Sequence, residues 1–375
     1  MQKPPIKVAF VITTFEVAGA ELALERYLRQ LLPTGEFDVS VCSLEPPPPA
    51  PLLERMRELG VPVHTVGMTK TNVPWALLRL AAWLRAKEPR IVCSMMFHPN
   101  ILCRILRLRL RFPVLLSFER TMGQDGSWRT LLNRLTMPLT DGIVAVSPRV
   151  AESCRQRFGL SSSKVTVIPN GVDLGRFEAL PPSSIAKSEL GLEAGHLVIT
   201  CTANFRPVKG HKYLLEAFAV VHRQVPHAKL LLVGDGPLRA SFEADIRRLE
   251  LSEHVRLLGA TEQVERVLAA SDLFVLPSLT EGMSNALLDA MAAGLAVVAT
   301  DAGGNADVIE DGVCGLLVPP RDSNALAEAM LRLLNDAYLR DQLGTAARLK
   351  IRQTYSIEAV AAAFGNLLRS YYRRE

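Results

Sequence analysis

Short runs of Val, Ile and Leu recur along this chain, each followed by a stretch of helical periodicity, and this alternation limits the fold more than any other feature. In the first half the runs fall at 7–13, 38–44, 61–67, 90–96, 114–119, 142–147 and 165–169. They are nearly continuous in apolar residues rather than alternating. That pattern marks strands buried on both faces of a parallel sheet. Amphipathic segments such as 21–32, 74–86 and 148–158 lie between them. Strand–helix alternation of this kind builds a doubly wound α/β domain.

The pattern then restarts. After PNGVD (169–173) comes a stretch with turn chemistry, including Pro181, Pro182, Ser183 and Ser184. A second series of runs follows at 197–203, 229–234, 255–259, 273–277, 296–300 and 315–318. The chain therefore reads as two Rossmann-like domains, 1–177 and 190–355. A helix over 356–375 packs back towards the first, presenting Phe364, Leu367, Leu368 and Tyr371 on one apolar face. A length of 375 residues suits two cores rather than one. The proline run EPPPPAP (45–51) reads as a surface loop.

Composition excludes several classes. Hydrophobic residues make up 49% and charged residues 22%, a globular balance, and the net charge of +5 is mild. A nucleic-acid binder concentrates more charge in one patch, and none of its motifs is present. The six cysteines form no CxxC pair and have no histidine cluster beside them, so they read as buried thiols of a reducing cytoplasm. The N-terminal apolar run is too short and too β-branched for a signal peptide, and no stretch approaches the roughly 18 apolar residues of a membrane span. The expected location is the cytoplasm, with attachment to the inner membrane face compatible with the charge. Neither domain carries G-x-G-x-x-G after its first strand, which argues against a nicotinamide enzyme. Ligands still bind in such folds at the carboxyl ends of the strands.

Two loops there carry most of the chemistry. In LPSLTEGMSNALLDAMAAG (276–294) a strand ends, a loop follows and a helix starts near Ser284–Asn285. A helix N-terminus offers free N–H groups to a diphosphate. The carboxylates of Glu281 and Asp289 can accept hydrogen bonds from sugar or ribose hydroxyls. A cap and a solvated helix charge are the plainer reading of the same two residues. In ANFRPVKGHKYLLEAF (203–218), Arg206 and Lys209 follow the first strand of the second domain and can neutralise a diphosphate. Lys212, one turn on, reads as solvated.

These residues, taken in order with IPNGVD (168–173), VGDGPLR (233–239), DAGGN (301–305) and DGVCGLLVPP (311–320), resemble family 4 of the retaining glycosyltransferases. The resemblance covers nearly the whole chain and is strongest over 165–320. It implies the GT-B arrangement, two Rossmann-like domains facing across a cleft and closing on a nucleotide-sugar. It also implies residue roles. Glu281 would lie against the donor sugar, and Asp289, where the family usually has Glu, would hold the ribose. Arg206 and Lys209 would neutralise the leaving diphosphate, with Asn204 standing where the family usually has the Arg. Gly282, Met283, Ser284 and Asn285 would offer backbone amides. Leu257 and Leu258 lie in the segment expected to meet the base. In the first domain EVAGAE (16–21) replaces a glycine-rich loop, with Gly19 as the donor contact, Ala18 in place of a second Gly, and Glu21 orienting the helix. His98 in MMFHPN (95–100) would face the acceptor or transferred sugar. Arg120 in SFERTMG (117–123) is an acceptor-side candidate whose alternative is a salt bridge to Glu119.

The implied activity is metal-independent, retaining transfer of a hexose-type sugar, from a UDP-sugar in preference to a GDP-sugar, to a hydroxyl of a glycan, lipid-linked or small-molecule acceptor. No cofactor and no nucleic acid is expected. Retention by same-face attack is favoured by the resemblance, with double displacement as the other route. The competing readings are a degenerate binding subunit and another nucleotide-sugar enzyme such as an epimerase. In the segment 100–112, Arg104, Arg107 and Arg111 read as one basic helical face, either solvated or meeting anionic lipid. Trp75 and Trp83 read as core residues or as part of that same surface.

Overall fold

A computed structural model describes residues 4–15, 19–46, 51–122 and 126–373. The chain forms two compact units. One runs to Gly171 and takes in the chain from Ile357 on; the other is Val172–Ser356. Thus 172–189 packs with the second unit, where Lys187 bonds Asp272 and the His196 carbonyl.

In the first unit the order is β1 (Ile6–Ile12), α1 (Gly19–Leu31), β2 (Phe37–Ser43), α2 (Pro51–Glu58), β3 (Val63–Thr65), α3 (Val73–Lys87), β4 (Ile91–Met95), α4 (Phe97–Arg107), β5 (Val114–Glu119), α5 (Ser127–Thr136), β6 (Gly142–Ala145), α6 (Pro148–Phe158) and β7 (Val165–Val167). The strands form one parallel sheet ordered β3-β2-β1-β4-β5-β6-β7. The chain winds outward from β1, then returns to place β4 beside it. Alternate residues of β1 serve opposite faces. Val8, Phe10 and Ile12 pack with α1 and α2, whereas Ala9 and Val11 pack with α3 and α4. This double burial is why the strand runs read as unbroken apolar sequence.

The second unit begins with α7 (Ser183–Glu189), followed by β8 (Leu197–Thr202), α8 (His211–Gln224), β9 (Ala228–Val233), α9 (Arg239–Arg248), β10 (Val255–Gly259), α10 (Val264–Ala269), β11 (Leu273–Leu276), α11 (Asn285–Ala292), β12 (Ala296–Thr300), α12 (Asn305–Val308), β13 (Leu316–Val318), α13 (Ser323–Asn335) and α14 (Ala337–Thr354). Its parallel sheet is ordered β10-β9-β8-β11-β12-β13, the same outward winding and return. The last helix, α15 (Ile357–Tyr372), belongs to the first unit. Phe364 is fully buried there against Phe10, Tyr27 and Phe118. All six cysteines are buried free thiols.

The structure corrects the basic face expected over 100–112. α4 ends at Arg107, so Arg111 lies beyond it. Arg104 is fully buried, not solvated and not available to lipid. It donates to Ser117 Oγ at 3.1 Å and to Asn133 Oδ1 at 2.8 Å, with Glu119 4.0 Å away. Arg107 is tied to Asp141 at 2.6 Å. Helical spacing alone cannot tell a solvated cation from one that has found buried acceptors on neighbouring elements. The two tryptophans also part: Trp83 is buried and Trp75 is exposed.

Two buried groups give predictions. Arg104→Ala removes the donor to Ser117 and Asn133 and the buried cation 4.0 Å from Glu119, so unfolding in urea should show a loss of about 3–5 kcal/mol. His211 is buried between the Phe205 and Phe242 rings, and neither ring nitrogen has a hydrogen-bond partner among the described residues. Burial, aided by the charge of Lys209, pushes its pKa down to about 4 from an ordinary 6.5. Above pH 6.5 it is neutral whether folded or unfolded. Below that, only the unfolded chain takes up the proton, so stability falls with pH until about 4 and then levels. This one group contributes roughly 3 kcal/mol to that loss. Denaturation of wild type and His211→Leu across this range should show the slope reduced in the variant; equal slopes would refute the assignment.

Candidate donor and acceptor sites

Both sheets reverse their winding at one strand pair, β1/β4 in the first unit and β8/β11 in the second. Loops at the carboxyl ends of such pairs splay apart and leave a crevice. The sequence-predicted residues cluster on these loops.

In the second unit the loops after β8, β11 and β12 are fastened together. Gly210 has φ +68°, and a Cβ there would stand 2.0 Å from the Pro277 carbonyl oxygen. Only glycine permits that approach. The Leu279 N–H donates to the Val208 carbonyl at 2.8 Å. Gly234, with φ +140°, brings the loop after β9 against Ala203 in the same way. The Gly304 N–H donates to the Glu281 carbonyl, so the DAGGN segment backs the same loop.

This fastening places Lys209 Nζ 2.6 Å from Glu281 Oε1. The Ser278 hydroxyl donates to the same oxygen at 2.7 Å, and Thr300 in turn donates to the Ser278 carbonyl. Glu281 is buried, yet both bonds fall on Oε1. Its Oε2 is the atom left for a ligand hydroxyl. Arg206 and Asn204 are exposed on the same loop as Lys209. Ser284 is the N-cap of α11, its hydroxyl accepting from the Leu287 N–H at 3.3 Å. Gly282, Met283 and Ser284 are buried, and Asn285 opens the helix.

Asp289 is buried on α11, 3.5 Å from Arg176, which also bonds Glu265 at 2.9 Å. Arg176 and Glu265 escaped the sequence reading. The motif IPNGVD stops three residues short of Arg176, and no local signal joins it to Glu265, 89 residues on, or to Asp289 beyond that. Leu257 and Leu258 both turn into packing. Leu257 lies against the main core and Leu258 against a smaller cluster with Val198 and Val267. A register shift between Leu257 and Gly259 leaves Leu258 unpaired with β9, so any contact to a base would come from backbone.

In the first unit, Gly19 opens α1 after β1, His98 lies in the first turn of α4 after β4, and Arg120 follows β5. Ala18 lies outside the described residues. Glu21 is buried in the first turn of α1. Met96, between β4 and α4, has φ 79°, a region that side chains rarely adopt. The turn that presents His98 is thus strained, as turns at functional sites often are. His98 is exposed beside Phe97. Partial burial and then the Arg129 charge lower its pKa, against an opposing pull from Glu45. This favours the neutral imidazole, the form whose ring nitrogen can accept a hydrogen bond. Arg120 does not take the salt bridge to Glu119. Its guanidinium donates to the Gly19 carbonyl at 3.2 Å and to Asn170 Oδ1. Glu119 instead accepts from Asn100 at 3.1 Å. Arg120 thereby fixes the start of α1 against the PNG turn.

Known proteins resemble this chain in sequence and in fold. Residues 196–336 match the glycosyl transferases group 1 family and residues 17–176 match glycosyltransferase family 4. A UDP-Gal:alpha-D-GlcNAc-diphosphoundecaprenol alpha-1,3-galactosyltransferase of Escherichia coli is 27% identical over 350 residues, 89% of each chain. An N-acetyl-alpha-D-glucosaminyl L-malate synthase of Bacillus anthracis is 28% identical over 71% of each. Among solved structures, Anabaena HepE in complex with UDP-glucose superposes with a TM-score of 0.86 at 21% identity, over 97% of this chain and all of that one. Two matched family halves, two parallel sheets with the same winding and motif residues gathered at both switch points lead to one assignment: the chain is a glycosyltransferase of family 4, with the GT-B fold.

Proposed function

We propose that this transferase moves a hexose-type sugar from a UDP-sugar to a hydroxyl of a glycan, lipid-linked or small-molecule acceptor, with retention and without a metal. The observation that carries the reading is the Lys209–Glu281 pair, held at the switch point of the second sheet beside the exposed Arg206. Glu281 Oε2 accepts from the sugar hydroxyls while Lys209 and Ser278 hold Oε1. Departure of the nucleoside diphosphate builds charge on its outer phosphate. Arg206, the remaining N–H donors of Lys209 and the amides at the start of α11 stabilise that charge, fixed before reaction begins. These cations supply the positive charge that a metal ion would otherwise bring. Asp289, oriented by Arg176, accepts from the ribose.

UDP is favoured over GDP because the galactosyltransferase matched along 89% of both chains is named for UDP-Gal. Its diphosphoundecaprenol acceptor supports a lipid-linked acceptor here. No helix among the described residues is long and apolar enough to cross a membrane. The reaction is assigned to the cytoplasm, at the inner membrane face where the acceptor is lipid-linked. Neutral His98 accepts a hydrogen bond from the acceptor or the transferred sugar. Retention follows from acceptor attack on the face the diphosphate leaves, with the leaving phosphate taking the acceptor proton.

The reading is tested by thermal unfolding with chelator present, in UDP, UDP-sugars and GDP-mannose. A nucleotide at a hundred times its dissociation constant stabilises the folded state by about 2.7 kcal/mol. UDP should raise the midpoint clearly, GDP less, and Glu281→Ala or Arg206→Ala should abolish most of the rise. Folded protein that responds to no nucleotide would instead support a degenerate binding subunit. The anomeric configuration of the product by NMR then checks retention.

A further inference from the structure

We infer that the outer face of α3, α4 and α5 in the first unit is a docking surface for an anionic lipid bilayer. This goes beyond the transferase reading and does not depend on it. α3 and α4 cover one face of the first sheet, and α5 packs beside α4. Six large apolar side chains point outward from this layer: Trp75 and Leu78 on α3, Leu108 at the end of α4, and Trp128, Leu131 and Leu135 on α5. Each is 58–69% exposed. The α5 residues recur at i, i+3 and i+7, so they form a single stripe along the helix. A solvated helix of an ordinary domain carries polar residues there, and clustered exposed apolar groups mark an interaction surface.

Charge says what covers it. Residues 59–140 hold twelve Lys and Arg against three Asp and Glu, a net of +9, so the rest of the chain is at −4. α3, α4 and α5 contain no acidic residue. Where α3 ends and the chain leaves α4, a recess of about 490 Å³ has an apolar floor and is lined by Arg85, Arg90, Arg109 and Arg111. Its one acidic lining residue, Glu88, is paired with Lys7. The recess lies at the amino ends of β4 and β5, the opposite edge of the sheet from His98 and Arg120. Aromatic and leucine side chains suited to the acyl boundary, on the same layer as arginines suited to phosphate, are the composition of an interfacial element. The tips are spread over three helices rather than gathered in one groove, which suits a deformable lipid surface better than a single peptide.

The test uses the full chain with vesicles of phosphatidylcholine containing phosphatidylglycerol, and with phosphatidylcholine alone, at low salt. Co-sedimentation should occur with the anionic vesicles only and weaken as salt is added. Arg109→Glu/Arg111→Glu and Leu131→Asp/Leu135→Asp should each weaken it on the order of tenfold or more. Circular dichroism melting shows that the variants are folded, and their response to UDP should be unchanged because the donor residues are elsewhere. The inference is overturned if folded wild type ignores anionic vesicles, or if both variants bind as well as wild type. It is also overturned if Leu131→Asp/Leu135→Asp abolishes a dimer seen by size exclusion while wild type shows no lipid binding, since the face would then belong to a second copy.

Discussion

Lys209 can reach Glu281 because Gly210 lacks a Cβ. The Pro277 carbonyl fills the space that any side chain at 210 would need. The loop after β8 and the loop after β11 are therefore one piece of structure, closed by the Leu279–Val208 backbone bond and by an ion pair that is mostly out of water. The proposed roles of Lys209 and Glu281 rest on this closure. A carboxylate with one oxygen held by a lysine and a serine has a fixed orientation, and its second oxygen is presented rather than left to rotate. Holding two cations and a buried carboxylate within one pair of fastened loops is the kind of preorganisation that charge stabilisation requires.

The first unit solves a different problem by related means. Its three candidate residues follow three different strands, and polar contacts rather than a glycine approach tie their elements together. Arg120 joins the start of α1 to Asn170. Beneath it, Asn100 bridges Ser94 Oγ, the Phe118 carbonyl and Glu119. Arg104 completes this buried layer through Ser117 and Asn133. Polar residues at these depths are tolerated because nearly all their groups are bonded, and in return they fix the ends of β4 and β5 with respect to α4.

The fold was legible in the sequence to an unusual degree because strands buried on both faces must be apolar throughout. Such runs stand out from amphipathic helices without any alignment, and every run read as a strand is a strand, with ends that differ by at most two residues. The site was legible in part. Glu281, Lys209 and Ser284 sit in short segments whose spacing is itself the signal. Arg176 and Thr300 do not, because each matters through a partner that the fold, not the neighbouring chain, brings near; Ser278 lies in a segment already read from sequence, but its bond to Glu281 is a matter of loop geometry. The basic segment at 100–112 was misread for the same reason: spacing on a helix assigns a residue to a face, but what that face meets is settled by packing.

The sequence by itself determined the alternation of strands and helices, the restart that makes two units, and the loops on which the chemistry sits, since these follow from local periodicity and turn residues. Only the tertiary structure decided that the winding reverses at β1/β4 and β8/β11, that Lys209 and Glu281 meet, that Asp289 answers to Arg176, and that Arg104 is buried while Leu131 and Leu135 are not. Periodicity is a property of neighbours along the chain. Pairing and burial depend on residues far apart in sequence, and one-dimensional spacing holds no record of them.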